Sequence, residues 1–230
     1  RRSEWSSAEC YYDLSTSKFI TIGKKELKDK NIIKLIRQYY RKEDFNNDVN
    51  EKNPRDSIAP YNLKFKDDYF ETDKFKGIVN VAENIKEELF DLKSVIEKLK
   101  YRTIISIDFK RVNEEKILKI INEKSDIVPE SLIHTIPKIS EKIENSVNSK
   151  IGLILSSFTI VHLSDINETN EEVIEKNTYL RKLFNYNGMH LICMKNNQRK
   201  GLEYALPYGK ENKDVKLVID ENKFINILTN

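Results

Sequence analysis

Apolar and polar positions follow two periods along this chain, and the changes of period divide it into elements. Lys18-Phe19-Ile20-Thr21-Ile22-Gly23 alternates and closes on glycine, which predicts a short strand. From Lys24 to Lys42, Leu27, Ile32, Ile33, Ile36, Tyr39 and Tyr40 fall on one stripe, which predicts a helix. Residues 43–77 hold Asn-Pro and Ala-Pro pairs and predict an irregular connection, with a short strand near Tyr61–Phe65. Over 78–100 the stripe returns at Val81, Ile85, Leu89, Leu92, Ile96 and Leu99 and predicts a second helix. The β-branched run from Thr103 to Phe109 predicts a strand. Helices are expected over 113–123 and 129–149, the latter interrupted at Pro137.

A second apolar strand is expected over 152–161, although Ser156, Ser157, Thr159 and His162 break the apolar run of 151–163. A helix over 171–184, an Asn187-Gly188 turn and a strand over 189–194 follow. A basic hairpin turn over 196–201 would lead to a strand at 202–206. A strand at 214–219 and a helix at 222–228 close the chain.

Strands alternating with helices predict an α/β fold, a central mixed β-sheet flanked by helices. Neither a linker nor a repeat divides the 230 residues, so a single domain is expected over 1–230. Its core would be 78–230, and 1–77 an N-terminal helical and irregular elaboration, with 1–17 on the surface.

Composition mainly removes classes. A chain that is 39% hydrophobic and 10% aromatic is too apolar for a disordered one. Six glycines and five prolines exclude collagen-like and low-complexity sequences. No uninterrupted apolar run reaches transmembrane length, so no membrane partner is expected. Cys10 and Cys193 each stand alone, without zinc-finger spacing. The apolar run around Cys193 predicts a buried, reduced thiol, and with it an intracellular, cytoplasmic location. The phosphate-binding glycine loops and the Gly-x-Ser-x-Gly elbow are missing. His134, His162 and His190 lack ligand spacing and read as imidazoles with one hydrogen bond each.

Forty basic against 37 acidic residues carry no argument by themselves, but their distribution does. The 24–42 helix sets eight cations against two acids, and 195–216 sets six against three. Such patches can grip a phosphate backbone. Lys34, Arg37 and Arg41 are the candidate contacts on the helix, beside Tyr39 and Tyr40 for stacking on bases. Asn197, Gln198, Arg199 and Lys200 form a tip of residue types that read base edges. The same residues also suit a solvated helix face and an ordinary polar turn.

One motif has the pattern of a reaction centre. In Ile104-Ile105-Ser106-Ile107-Asp108-Phe109-Lys110, the acid and the lysine are two apart on a strand and so share a face. Metal-dependent nucleases use a carboxylate to bind Mg²⁺ and a lysine to assist the attacking water. An acid two residues before a lysine occurs seven times in this chain, and only Asp108 follows five strand-like residues. A solvated strand end would carry the same two residues.

Together with Ile151-Gly152-Leu153-Ile154-Leu155 and Met189-His190-Leu191-Ile192-Cys193, this motif resembles the PD-(D/E)XK superfamily, which includes type II restriction endonucleases. The resemblance covers about residues 91–195. It implies a restriction-endonuclease-like core and a Mg²⁺-dependent endonuclease acting on double-stranded DNA, active as a homodimer on palindromic sites. Asp108 and Lys110 would be catalytic, and Asp91, the best spaced upstream acid, would complete the metal site with Asp108. The family sets that first acid on a strand joined by a hairpin to the Asp-x-Lys strand, whereas here the preceding segment reads as helix. A non-catalytic nucleic-acid-binding module, or an interaction subunit of a larger assembly, would use the same basic surfaces.

Overall fold

The computed structural model describes residues 9–13, 18–22, 62–112, 152–205 and 215–229, with 141, 143, 148 and 212 besides. Strands β1 (Glu9–Asp13) and β2 (Lys18–Ile22) pair antiparallel in a sheet of their own. β2 is the expected strand, while β1 falls in the segment expected on the surface.

The remaining strands form one seven-stranded sheet. They are β3 (Lys64–Phe65), β4 (Phe70–Glu71), β5 (Phe75–Ile85), β6 (Thr103–Val112), β7 (Leu153–Asp165), β8 (Met189–Cys193) and β9 (Leu217–Asp220). The order runs β3-β4-β5-β7-β6, with β8 added to β5 and β9 to β7. Every pairing described is antiparallel, which corrects the expected mixed sheet. The helical crossovers are real, but another strand enters each one. β5 and β6 lie on either side of β7, and β7 and β8 on either side of β5. Two split β-α-β units therefore interlock, and each strand finds an antiparallel neighbour.

The expected helix over 78–100 is corrected to a strand followed by a short helix. β5 takes Phe75–Ile85, and only α1 (Leu92–Glu97) is helical. Ile78 to Ala82 is buried on both faces, so polar alternation is absent and spacings of three and four arise by coincidence. The expected hairpin and strand over 196–206 are likewise corrected. Helix α3 (Gln198–Ala205) stands there instead and packs Leu202 and Ala205 against Val79 and Val161. Gly201 permits the close approach, since a Cβ there would lie 2.7 Å from Val79 Cγ1.

The sheet is covered on both sides. Helices α1, α2 (Asn170–Tyr186) and α4 (Glu221–Thr229) cover one side, over Ala82, Ile154, Phe158 and Ile160. Helix α3 covers the other, over Val79, Val161, Leu163 and Ile104. In α2, Val173, Asn177, Leu180 and Phe184 form the buried stripe. Asn177 is held there by a reciprocal amide pair with Asn80 of β5, at 2.7 and 3.3 Å. The helix starts with a capping box: Thr169 Oγ1 accepts the Glu172 N–H, and the Glu172 carboxylate accepts the Thr169 N–H at 2.7 Å. The Thr169 N–H and the Thr169 hydroxyl, which donates at 3.0 Å, hold the Glu172 carboxyl below its usual range. Thr169→Ala is expected to cost about 1 kcal/mol. Urea denaturation beside Thr169→Ser, which keeps the cap, checks this.

Candidate functional site

Strand β6 places the Asp-x-Lys pair. It runs in unbroken register with β7, with Ser106 opposite Thr159, Asp108 opposite Ser157 and Lys110 opposite Leu155. Ile105 and Ile107 pack into the core under α1, α2 and α4, and Phe109 meets Phe224 of α4 at 5.0 Å between ring centres. Ile104 packs on the α3 side. Alternation then puts Ser106, Asp108 and Lys110 on the α3 side with Ile104, and the acid and the lysine share a face. Opposite them on β7, Ser157 and Thr159 are buried, and the Thr159 hydroxyl has no hydrogen-bond partner. These positions form a polar strip on the α3 side of β6 and β7. The interruptions at Ser157 and Thr159 are visible in the sequence, but only cross-strand register sets them beside Asp108.

The upstream acids go elsewhere. Asp91 is the N-cap of α1, and its carboxylate accepts the Ser94 N–H at 3.1 Å. Val95 of that helix is buried in the core on the other side of the sheet from Asp108. Glu88 and Glu87 take Lys223 of α4 at 2.7 and 3.6 Å, and Asp220 takes the same ammonium at 3.6 Å. The hydrogen bond to Glu88 raises the Lys223 pKa above its ordinary value. Among the described residues no group of three His, Cys, Asp or Glu side chains could hold a metal ion. The Asp91–Asp108 pairing that the resemblance implied is not formed, because α1, capped by Asp91, packs on the other side of the sheet.

Of the residues expected to contact nucleic acid, Lys34, Arg37 and Arg41 lie outside the described residues. Asn197 is exposed in the bend that precedes α3. Gln198 is not a surface reader. It is buried, accepts the Val79 N–H at 2.8 Å and donates to the Met194 carbonyl at 3.1 Å, which ties α3 to the β5–β8 edge. Arg199 and Lys200 do project outward from α3, Arg199 beside Glu203 at 3.5 Å and Lys200 over the Tyr204 ring at 5.9 Å. Lys195 is exposed beside Asp68 at 3.4 Å. Pairs this exposed contribute little and exchange readily for other anions.

Cys193 is a free, half-buried thiol, and burial raises its pKa. His190 is exposed at 3.1 Å from Glu83. His162 is entirely buried, with Nε2 at 2.8 Å from the Ser164 hydroxyl and Nδ1 without a partner. Burial lowers its pKa to about 4, with Glu168 opposing the shift and Lys176 adding to it. His134 lies outside the described residues.

No helix among the described residues is long and apolar enough to cross a membrane. No protein-family model matches the chain, and no curated protein matches it.

Proposed function

We propose that this protein binds DNA through the α3 side of its sheet. The observation that carries the reading is the shared orientation of Lys110, Arg199 and Lys200. Lys110 lies on the side of the sheet on which α3 packs, six residues along β6 from Ile104, and Arg199 and Lys200 are exposed on α3. Cations spread along one side of a nearly neutral chain can follow a phosphate backbone.

Backbone hydrolysis is the narrower form of the proposal. Asp108 and Lys110, beside the buried hydroxyls of Ser157 and Thr159, support it. It needs a second carboxylate on the face of Asp108, and Asp91 belongs to the other side, so no metal-assisted step is built on that pair.

Fluorescence anisotropy with a labelled DNA duplex at increasing salt tests the binding. The wild type is expected to show a steep linear fall of log K with log salt. Arg199→Ala with Lys200→Ala should reduce that slope by about 2, one unit for each cation withdrawn from the phosphates. An unchanged slope in the double variant, or no binding at low salt, overturns the proposal. Incubation with plasmid and genomic DNA, with Mg²⁺ and with EDTA, addresses hydrolysis separately. Cleavage that Asp108→Ala abolishes while binding survives would place Asp108 in a reaction centre.

A further inference from the structure

A second polar site lies at the opposite end of β6 from Lys110. The turn Lys100-Tyr101-Arg102, the end of β7 at Leu163-Ser164-Asp165, and Glu168 and Lys176 enclose an open pocket of about 250 Å³. Its lining carries two carboxylates and three cations. Glu168 holds Lys176 at 2.6 Å, and this contact keeps the Lys176 ammonium above its ordinary pKa. Asp165 Oδ1 accepts both the backbone N–H and the amide of Asn167, at 3.1 and 3.0 Å. The cations Lys100 and Arg102 flank Tyr101 in the pocket wall, and the Lys100 ammonium lies 5.1 Å over the Tyr179 ring. With Lys176, three cations stand against the two carboxylates, so the net field at the pocket is positive.

The inner wall is polar where the fold alone would favour an apolar one. On the α2 side of β7, positions 154, 156, 158 and 160 are Ile, Ser, Phe and Ile, all buried. The next two residues on that face are His162 and Ser164, both buried and joined at 2.8 Å. Ser164 lines the pocket. The His162 ring sits edge-on to Tyr101 at 5.8 Å, and its Nδ1 is left without a partner. A buried polar atom without a partner costs free energy that an aliphatic side chain would not. The arrangement fixes the Ser164 hydroxyl at the base of a cationic pocket, where it also hydrogen-bonds the Glu168 carboxylate.

We propose that this pocket binds a phosphate monoester, with Lys100 and Arg102 pairing with the phosphate oxygens and the Ser164 hydroxyl turning from Glu168 to donate to one of them. Charge-assisted bonds from Lys and Arg, with one oriented hydroxyl, are the donor set such a dianion requires. The monoester can come from a free mononucleotide or from the 5′-phosphate of a nucleic-acid strand. Phe75 and Leu163 of its wall also pack toward α3, but Arg199 and Lys200 are not part of its lining, and the site does not depend on the proposed DNA surface.

Calorimetric titration of the whole chain with adenosine 5′-monophosphate, with adenosine, and with one oligonucleotide carrying either a 5′-phosphate or a 5′-hydroxyl tests the inference. The mononucleotide is expected to bind with a Kd below about 1 mM. Adenosine should bind at least tenfold more weakly. Lys100→Ala with Arg102→Ala should weaken the mononucleotide at least tenfold at unchanged thermal stability, and Ser164→Ala should weaken it in a chain that still carries both cations. Tighter binding of the 5′-phosphorylated oligonucleotide than of its 5′-hydroxyl counterpart supports the site and names a strand end as its source. Equal binding of the two oligonucleotides, with the mononucleotide retained, supports it and names the free ester. No binding of either phosphorylated probe, equal affinity for adenosine, or undiminished affinity in the double variant overturns it.

Discussion

Phe184→Ala is expected to destabilise the fold by about 3–5 kcal/mol. Phe184 is fully buried at the end of the α2 stripe. Its ring stacks on Phe90 at 6.3 Å between centres, and Phe90 in turn meets Phe158 of β7 edge-on at the same distance. The three rings join α2, the β5–α1 connection and the sheet, so alanine removes apolar area and leaves a cavity lined by rigid aromatic faces. Total stabilities of domains are only about 5–15 kcal/mol, so the variant should lie close to unfolding. Urea denaturation checks this beside Ile174→Ala, on the exposed face of the same helix. Ile174→Ala should change stability by less than about 0.5 kcal/mol. Similar losses in the two variants would mean that the aromatic cluster does not hold α2 on the sheet.

The second large effect is a loss of stability in acid that traces to His162. Its folded pKa is about 4, against 6.5 as its ordinary value, and burial is the main cause. Between those two values the unfolded chain binds a proton that the folded chain refuses. Stability is therefore complete above pH 6.5 and falls as the pH drops toward 4. At about 1.36 kcal/mol per pKa unit the window amounts to about 3 kcal/mol, of which about 2 is lost by pH 5. Carboxylates such as Glu168 and Glu172, held below their ordinary range, lose their contribution at lower pH and in the same direction. The wild type is therefore compared with His162→Gln, which removes only the imidazole. Urea midpoints between pH 7.5 and 4.5 should diverge, the wild type losing about 2 kcal/mol more than the variant from pH 7 to 5. Parallel curves would mean that His162 protonates freely in the folded protein.

Features that depend on neighbours a few residues away are legible along the chain. The β-branched run from Thr103 predicts β6, and two-residue alternation puts Asp108 and Lys110 on one face of it. The interrupted apolar run predicts β7, which extends four residues past the expected end, to Asp165. The stripe after Thr169 predicts α2, and the closing helix stands within a residue of its expected place. Residues 78–100 mislead because β5 is buried on both faces, which erases the alternation that marks a strand. Gln198–Ala205 misleads because Asn-Asn-Gln-Arg-Lys-Gly has the chemistry of a turn. It becomes a helix where Leu202, Tyr204 and Ala205 are buried, with Gly201 set against Val79.

The candidate sites divide along the same line. Sequence by itself determined that Asp108 and Lys110 share a face, since a strand's period is a local property. It could not show which helix covers that face, because each side of the sheet is closed by elements distant in the chain. Tertiary structure decided that α1, capped by Asp91, packs on the opposite side, and that Ser157 faces Asp108 across the ladder with Thr159 opposite Ser106. It also brought Lys100 and Arg102 beside Ser164, far along the chain. Contacts of that separation follow from the burial of apolar faces over the whole chain, which no short window of sequence contains.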